Sequence, residues 1–170
     1  MSAIVPDAKI LLYILVFTTT FAFPGITLLF LHWQKVISNI QLEDKKERMM
    51  PLIATLMFYY LGYYILGTNN VSGLLRAFFL GAIISLTLTF FVNIFWKISA
   101  HLIGIGGIVG LILAMSFRLH ANLLPFLMII ILLAGLLGTA RVVLKSHNPL
   151  QVIAGFYLGL IVVYSTVMLY

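Results

Sequence analysis

The sequence predicts an all-α fold: a polytopic membrane bundle of six transmembrane helices. Three observations carry that reading. The 170 residues are 63% hydrophobic and only 8% charged, with a mean hydropathy of +1.17. A soluble domain of this size carries about a quarter charged residues. The apolar residues gather into six runs, most of them near the ~20 residues that cross a hydrocarbon core of roughly 30 Å as helix. The runs show no period-two alternation, so the pattern argues against a barrel.

The first run covers about residues 10–33 and contains Pro24-Gly25, which predicts a kink that neighbouring helices accommodate. It lacks a basic n-region and a small-residue cleavage site, so it reads as a retained span and not a signal peptide. The second covers about 51–66, with Pro51 suited to the first helical position, and ends at the breaker turn Gly67-Thr68-Asn69-Asn70. The remaining runs cover about 71–96, 99–117, 122–144 and 149–170. No linker is long enough to separate domains and no internal repeat is visible, so a single domain over 1–170 is expected.

Ten Lys and Arg stand against four acids, giving a net charge of +6. These charges fall between the apolar runs, which suits a bilayer surface and a phosphorylated lipid better than nucleic acid. The chain has no cysteine, which excludes disulfides and thiolate metal sites. Counting spans places the 34–50 loop, the Lys97–His101 segment and the 141–151 stretch on one side of the membrane. That side carries Lys35, Lys45, Lys46, Arg48, Lys97, Arg141 and Lys145; the other carries Lys9, Arg118 and, by snorkelling, Arg76. The positive-inside rule then makes the richer side cytoplasmic, a vote confounded if that side binds an anion.

The 141–151 stretch sets an arginine, a lysine and a histidine between two apolar runs, and ionisable groups in such places are functional candidates. Ala140-Arg141, five residues, His147, three residues, Gln151 resembles the third motif of the type 2 phosphatidic acid phosphatase superfamily, which reads Ser-Arg, five residues, His, three residues, Asp. The small-residue approach through Gly135 and Gly138, and the Asn148-Pro149 and Ala154-Gly155 that follow, are also similar. Ile98-Ser99-Ala100-His101 resembles the second motif, Pro-Ser-Gly-His, and sits one helical hairpin before the third. The first motif, Lys, six residues, Arg-Pro, has no match; the loop offers Lys45-Lys46-Glu47-Arg48-Met49-Met50-Pro51 at a different spacing. The resemblance therefore covers about residues 97–170.

The resemblance implies a six-helix fold in an inner bacterial membrane, acting on or recognising a lipid phosphate or diphosphate, with no metal and no cofactor. By that implication His147 attacks phosphorus and His101 protonates the leaving alcohol. Arg141, Ser99, Lys97, Lys145, Lys46 and Arg48 hold the phosphate oxygens, and Gln151 stands where an aspartate orients the nucleophile. Such chemistry asks mainly for positioning and for cations around the equatorial oxygens. Two departures weaken hydrolysis. Gln151 cannot stabilise an imidazolium as a carboxylate does, a loss of roughly four orders of magnitude in rate in a comparable triad. Ala140 lacks the hydroxyl that donates to phosphate, which costs about 10²-fold where it faces developing charge. The alternative reading is a non-enzymatic lipid-phosphate binder, transporter or scaffold that keeps only the fold.

Plainer readings stand beside these. Lys97 beside Trp96 fits an interfacial anchor pair, and His32 and His120 fit interfacial positions. Residues 43–48 fit a solvated, self-paired loop. Glu43, Asp44 and Glu47 do not reproduce the paired aspartate-rich motifs of membrane prenyltransferases, so no metal is expected there. Gly104, Gly106, Gly107 and Gly110 predict close helix packing that brings His101 near the fifth and sixth spans. Tyr59, Tyr60, Tyr63 and Tyr64 fit an aromatic belt or a lipid groove.

Overall fold

The computed structural model describes residues 6–39, 42, 47–69 and 71–170. Six helices are long and apolar enough to span a membrane: Lys9–Trp33, Met49–Thr68, Gly73–Phe95, Ala100–Leu119, Leu124–Val143 and Pro149–Leu169. The protein is an all-helical, multi-pass membrane bundle, and no strand occurs among the described residues. Only helices and closed barrels satisfy every backbone polar group without water, so the apolar runs and the helices coincide. The chain divides into two compact units, Met1–Asn69 and Asn70–Tyr170.

The first unit begins with α1 (Pro6–Phe17) and α2 (Phe23–Trp33), joined by a π-helical turn at Thr18–Ala22. Pro24 explains the turn. It has no N–H for the carbonyl of Thr20, and its ring crowds that carbonyl. The backbone widens just before it, and the Phe23 N–H reaches back five residues to Thr18 O. The hydroxyls of Thr18, Thr19 and Thr20 donate to the carbonyls of Ile14, Leu15 and Val16 at 2.7, 2.8 and 2.7 Å. The break expected at Pro24-Gly25 is thus a π turn that ends two residues before Pro24, a form common where the ladder is interrupted. In α3 (Met49–Thr68), Pro51 is the third residue, still within the first turn whose N–H groups have no helical partner. The Phe23 and Phe58 rings, 5.3 Å apart, join α2 to α3.

The second unit holds α4 (Gly73–Phe95), α5 (Ala100–Leu119), α6 (Leu124–Val143) and α7 (Pro149–Leu169). Its centre is the α5–α7 contact. Gly106 and Gly110 on α5 face α7, and Gly155 and Gly159 on α7 face α5, each pair four residues apart. A Cβ on Gly106 would overlap the carbonyl of Phe156, and one on Gly159 would overlap that of Ile103. Small residues at this spacing let two membrane helices approach backbone to backbone. Gly107 packs on Val163, whereas Gly104 has no atom near its missing Cβ and does not belong to the contact. Toward the other end, Ala77, Ala114, Val163 and Val167 close a core between α4, α5 and α7. There the Arg118 Nη1 donates to Val167 O at 2.6 Å, capping the last turn of α7, and the Arg76 guanidinium lies 5.9 Å from the Tyr170 ring centre.

Candidate functional site

The α6–α7 connection is short, and both of its helix ends are capped. Lys145 adopts a left-handed conformation (φ 53°). The Lys145 N–H then donates to Val142 O at 2.9 Å and the Ser146 N–H to Arg141 O at 3.1 Å. That is the paired-bond helix ending usually built on glycine. The His147 N–H also reaches Arg141 O, at 3.2 Å. Asn148 then caps α7: its side chain accepts from the Gln151 N–H at 2.9 Å, and Gln151 Oε1 accepts from the Asn148 N–H at 3.1 Å. Pro149 supplies the pre-set first residue of α7. The two caps together leave His147 little freedom.

His147 is 6% exposed, and its Nδ1 lies 3.2 Å from Gln151 Oε1. The α4–α5 connector meets the same turn of α7. The Ser99 N–H donates to Gln151 O at 3.3 Å, and a Cβ on Gly155 would sit 2.7 Å from Ser99 O. Leu102 and Val152 meet at Gly138 on α6. A continuous set of contacts thus runs from Ser99 through Gln151 and His147 to Arg141, tying together three helix ends.

Two buried polar atoms at this end have no hydrogen-bond partner among the described residues: Ser99 Oγ and Arg141 Nε. Ser99 is 0% exposed and stands at the N-cap of α5, yet its hydroxyl does not cap the helix. A serine there ordinarily bonds the second or third helical N–H. A buried donor left unmet costs about 1–3 kcal/mol, and such groups in native proteins mark strain, water, ions or ligands. The α5 N-terminus adds its partial positive charge. The set suits an oxyanion: a guanidinium, a hydroxyl donor and a helix N-terminus.

The other candidate residues differ in exposure and in the unit they belong to. Lys97 is half-buried in the connector before Ser99. Lys145 is exposed on the turn itself. His101 is exposed and shares its face of α5 with Gly104 and Ile108, while the face packed on α7 carries Ile103, Gly106, Gly107 and Gly110. Arg48 belongs to the first unit, is 8% exposed, and its Nε donates to Leu42 O at 2.6 Å. Lys46, with Glu43, Asp44 and Lys45, lies outside the described residues. Among the described residues no group of three or more His, Asp or Glu is placed to hold a metal ion.

One feature escaped the sequence reading. Ser85, Thr89 and Asn93 form a buried polar line at i, i+4 and i+8 on α4. Thr87, Thr89, Thr139 and Thr166 each turn their hydroxyls back to the carbonyl four residues earlier. Ser85 Oγ does not, and has no partner among the described residues. The four-residue spacing within an apolar helix was the available signal. It was hidden because Ser and Thr so often bond their own helix.

No protein-family model matches the chain, and no curated protein or solved structure is significantly similar to it.

Proposed function

We propose that the Ser99, Arg141, His147 end of the second unit recognises the phosphate or diphosphate headgroup of a membrane lipid, in a metal-independent site of the phosphohydrolase type whose activity is weakened. One observation carries the reading: Ser99 Oγ and Arg141 Nε are buried without partners at the same helix ends that fix His147. The resemblance of the 97–101 and 140–151 segments to the type 2 phosphatidic acid phosphatase superfamily supports it. In catalysis His147 attacks phosphorus, His101 serves as general acid, and Arg141, Ser99 and the nearby lysines hold the oxygens. This end faces the cytoplasm on the count of lysines and arginines, in the inner membrane of a bacterium.

A second reading, a binder or scaffold without turnover, is favoured by the amide that His147 meets at Gln151. Phosphate release from a short-chain phosphatidate by purified protein separates the two. Release abolished by His147→Ala supports the enzyme. Absence of release, with lipid-dependent stabilisation that Arg141→Ala removes, supports the binder. If neither release nor stabilisation is seen, both readings fail.

A further inference from the structure

Among the described residues, Lys35, Leu42, His120 and Lys145 hold a left-handed backbone, and no glycine does. Three of the four stand at helix ends, and all three are basic: Lys35 follows α2, His120 follows α5 and Lys145 follows α6. Glycine takes this conformation without penalty and a residue with a side chain does not. The chain has 13 glycines, yet at these ends it keeps a basic side chain. The two lysine endings share one bonding pattern. After α2, the Lys35 N–H donates to His32 O at 3.0 Å, the Val36 N–H to Leu31 O at 3.0 Å and the Ile37 N–H to Leu31 O at 3.4 Å. After α6, the Lys145 N–H donates to Val142 O at 2.9 Å, the Ser146 N–H to Arg141 O at 3.1 Å and the His147 N–H to Arg141 O at 3.2 Å. Two residues past each lysine the chain is buried, at Ile37 and at His147, while both lysines are exposed. Exposed apolar side chains precede each: Trp33, 78% exposed, before Lys35, and Val143 and Leu144 before Lys145.

We propose that Lys35 and Lys145 are phospholipid anchors: each left-handed helix ending holds an ammonium in the headgroup layer, where it binds the phosphate of an anionic diacyl lipid, while the apolar residues before it sit among the acyl chains. A lysine beside exposed apolar side chains, with a tryptophan at one of the two ends, suits that layer. The other use of a lysine at a helix end is to bond the last carbonyls of its own helix. Neither ammonium does so, and neither has a hydrogen-bond or ion-pair partner among the described residues. The strained backbone is then kept for the side chain it carries; a glycine ending would have the same bonds and no anchor. A net negative headgroup is the preferred ligand, because a zwitterionic lipid brings its own ammonium to the phosphate. Lys35 belongs to the first unit and has no part in the Ser99, Arg141, His147 end, so the anchor role stands apart from the proposed function.

The test uses Trp33, one of the two tryptophans in the chain, as a reporter beside Lys35. The full chain carrying Trp96→Phe is placed in vesicles of phosphatidylcholine and phosphatidylglycerol at equal mole fractions. One lipid or the other has brominated acyl chains, which quench an adjacent indole. Phosphatidylglycerol is expected to occupy the place beside Trp33 about fivefold more than phosphatidylcholine, as one lysine near an anionic headgroup gives. Lys35→Gly suits the backbone and is expected to bring the ratio close to one, whereas Lys35→Arg keeps the charge and is expected to keep the preference. At the other ending, Leu144→Trp with Trp33→Phe and Trp96→Phe puts the reporter beside Lys145, and Lys145→Gly is expected to abolish the preference there. Equal quenching by the two lipids beside either lysine overturns the proposal, as does a preference that survives either glycine substitution. Lys35→Gln and Lys145→Gln carry the same expectation, which keeps the proposal refutable if a glycine variant fails to insert.

Discussion

Lys145 holds a left-handed backbone that costs a non-glycine residue roughly 1–2 kcal/mol. Glycine is the usual choice at that place in a helix ending, and the lysine stands between Arg141 and His147. Strain retained at such a point fits a functional side chain. Lys145→Gly is expected to raise the melting temperature in detergent, by about 1 kcal/mol in stability, and to weaken binding of a phosphorylated lipid. A lower melting temperature would contradict the geometry, and unchanged binding would contradict the role. The spacing of Arg141, His147 and Gln151 was legible in the sequence, because a helix ending and a capping box are local. The fate of Arg48 was not. Its spacing said only that a cation lay near a proline, whereas its Nε bonds Leu42 O within the loop.

At the scale of elements, the four facing glycines of α5 and α7 set how near Ser99 comes to Gln151. Gly159→Ala drives a methyl into the Ile103 carbonyl and Gly110→Ala one into the Leu160 carbonyl. Each is expected to cost about 1–3 kcal/mol or more and to weaken lipid binding along with stability. Gly104→Ala and Gly135→Ala meet no atom and are expected to be neutral or to stabilise by about 0.5–1 kcal/mol. Thermal unfolding of the four variants side by side checks this; equal effects across them would mean that α5 and α7 do not pack through glycine. The glycine stripe was visible in sequence as a packing face. Which of its members faced α7 was not, because Gly104 and Gly107 differ only in angle around α5. The span boundaries were the most legible feature: none moves by more than two residues, as Pro51 against Met49 illustrates. Hydropathy reads the bilayer, and the bilayer sets helix length. The π turn before Pro24 was legible only as a break, since proline states where the ladder fails and not how the backbone repairs it.

For the whole molecule, six apolar helices make a membrane bundle, and the proposed function gives it one polar end that takes an anion. The absence of cysteine from the natural sequence makes Ser146→Cys a clean reporter of which leaflet that end faces. A membrane-impermeant maleimide is expected to label it only after the membrane is permeabilised; labelling of intact cells would place the site outside and restrict the lipids that reach it. The most direct test of the claim itself is thermal unfolding of the purified protein with a short-chain phosphatidate, beside a phosphate-free diacylglycerol and inorganic phosphate. With lipid at about a hundred times its dissociation constant, the protein is expected to gain about 2.7 kcal/mol, Arg141→Ala to lose nearly all of that gain, and the diacylglycerol to give none. Equal stabilisation of the protein and Arg141→Ala, or none from the phosphatidate, would contradict a phosphate site at this end.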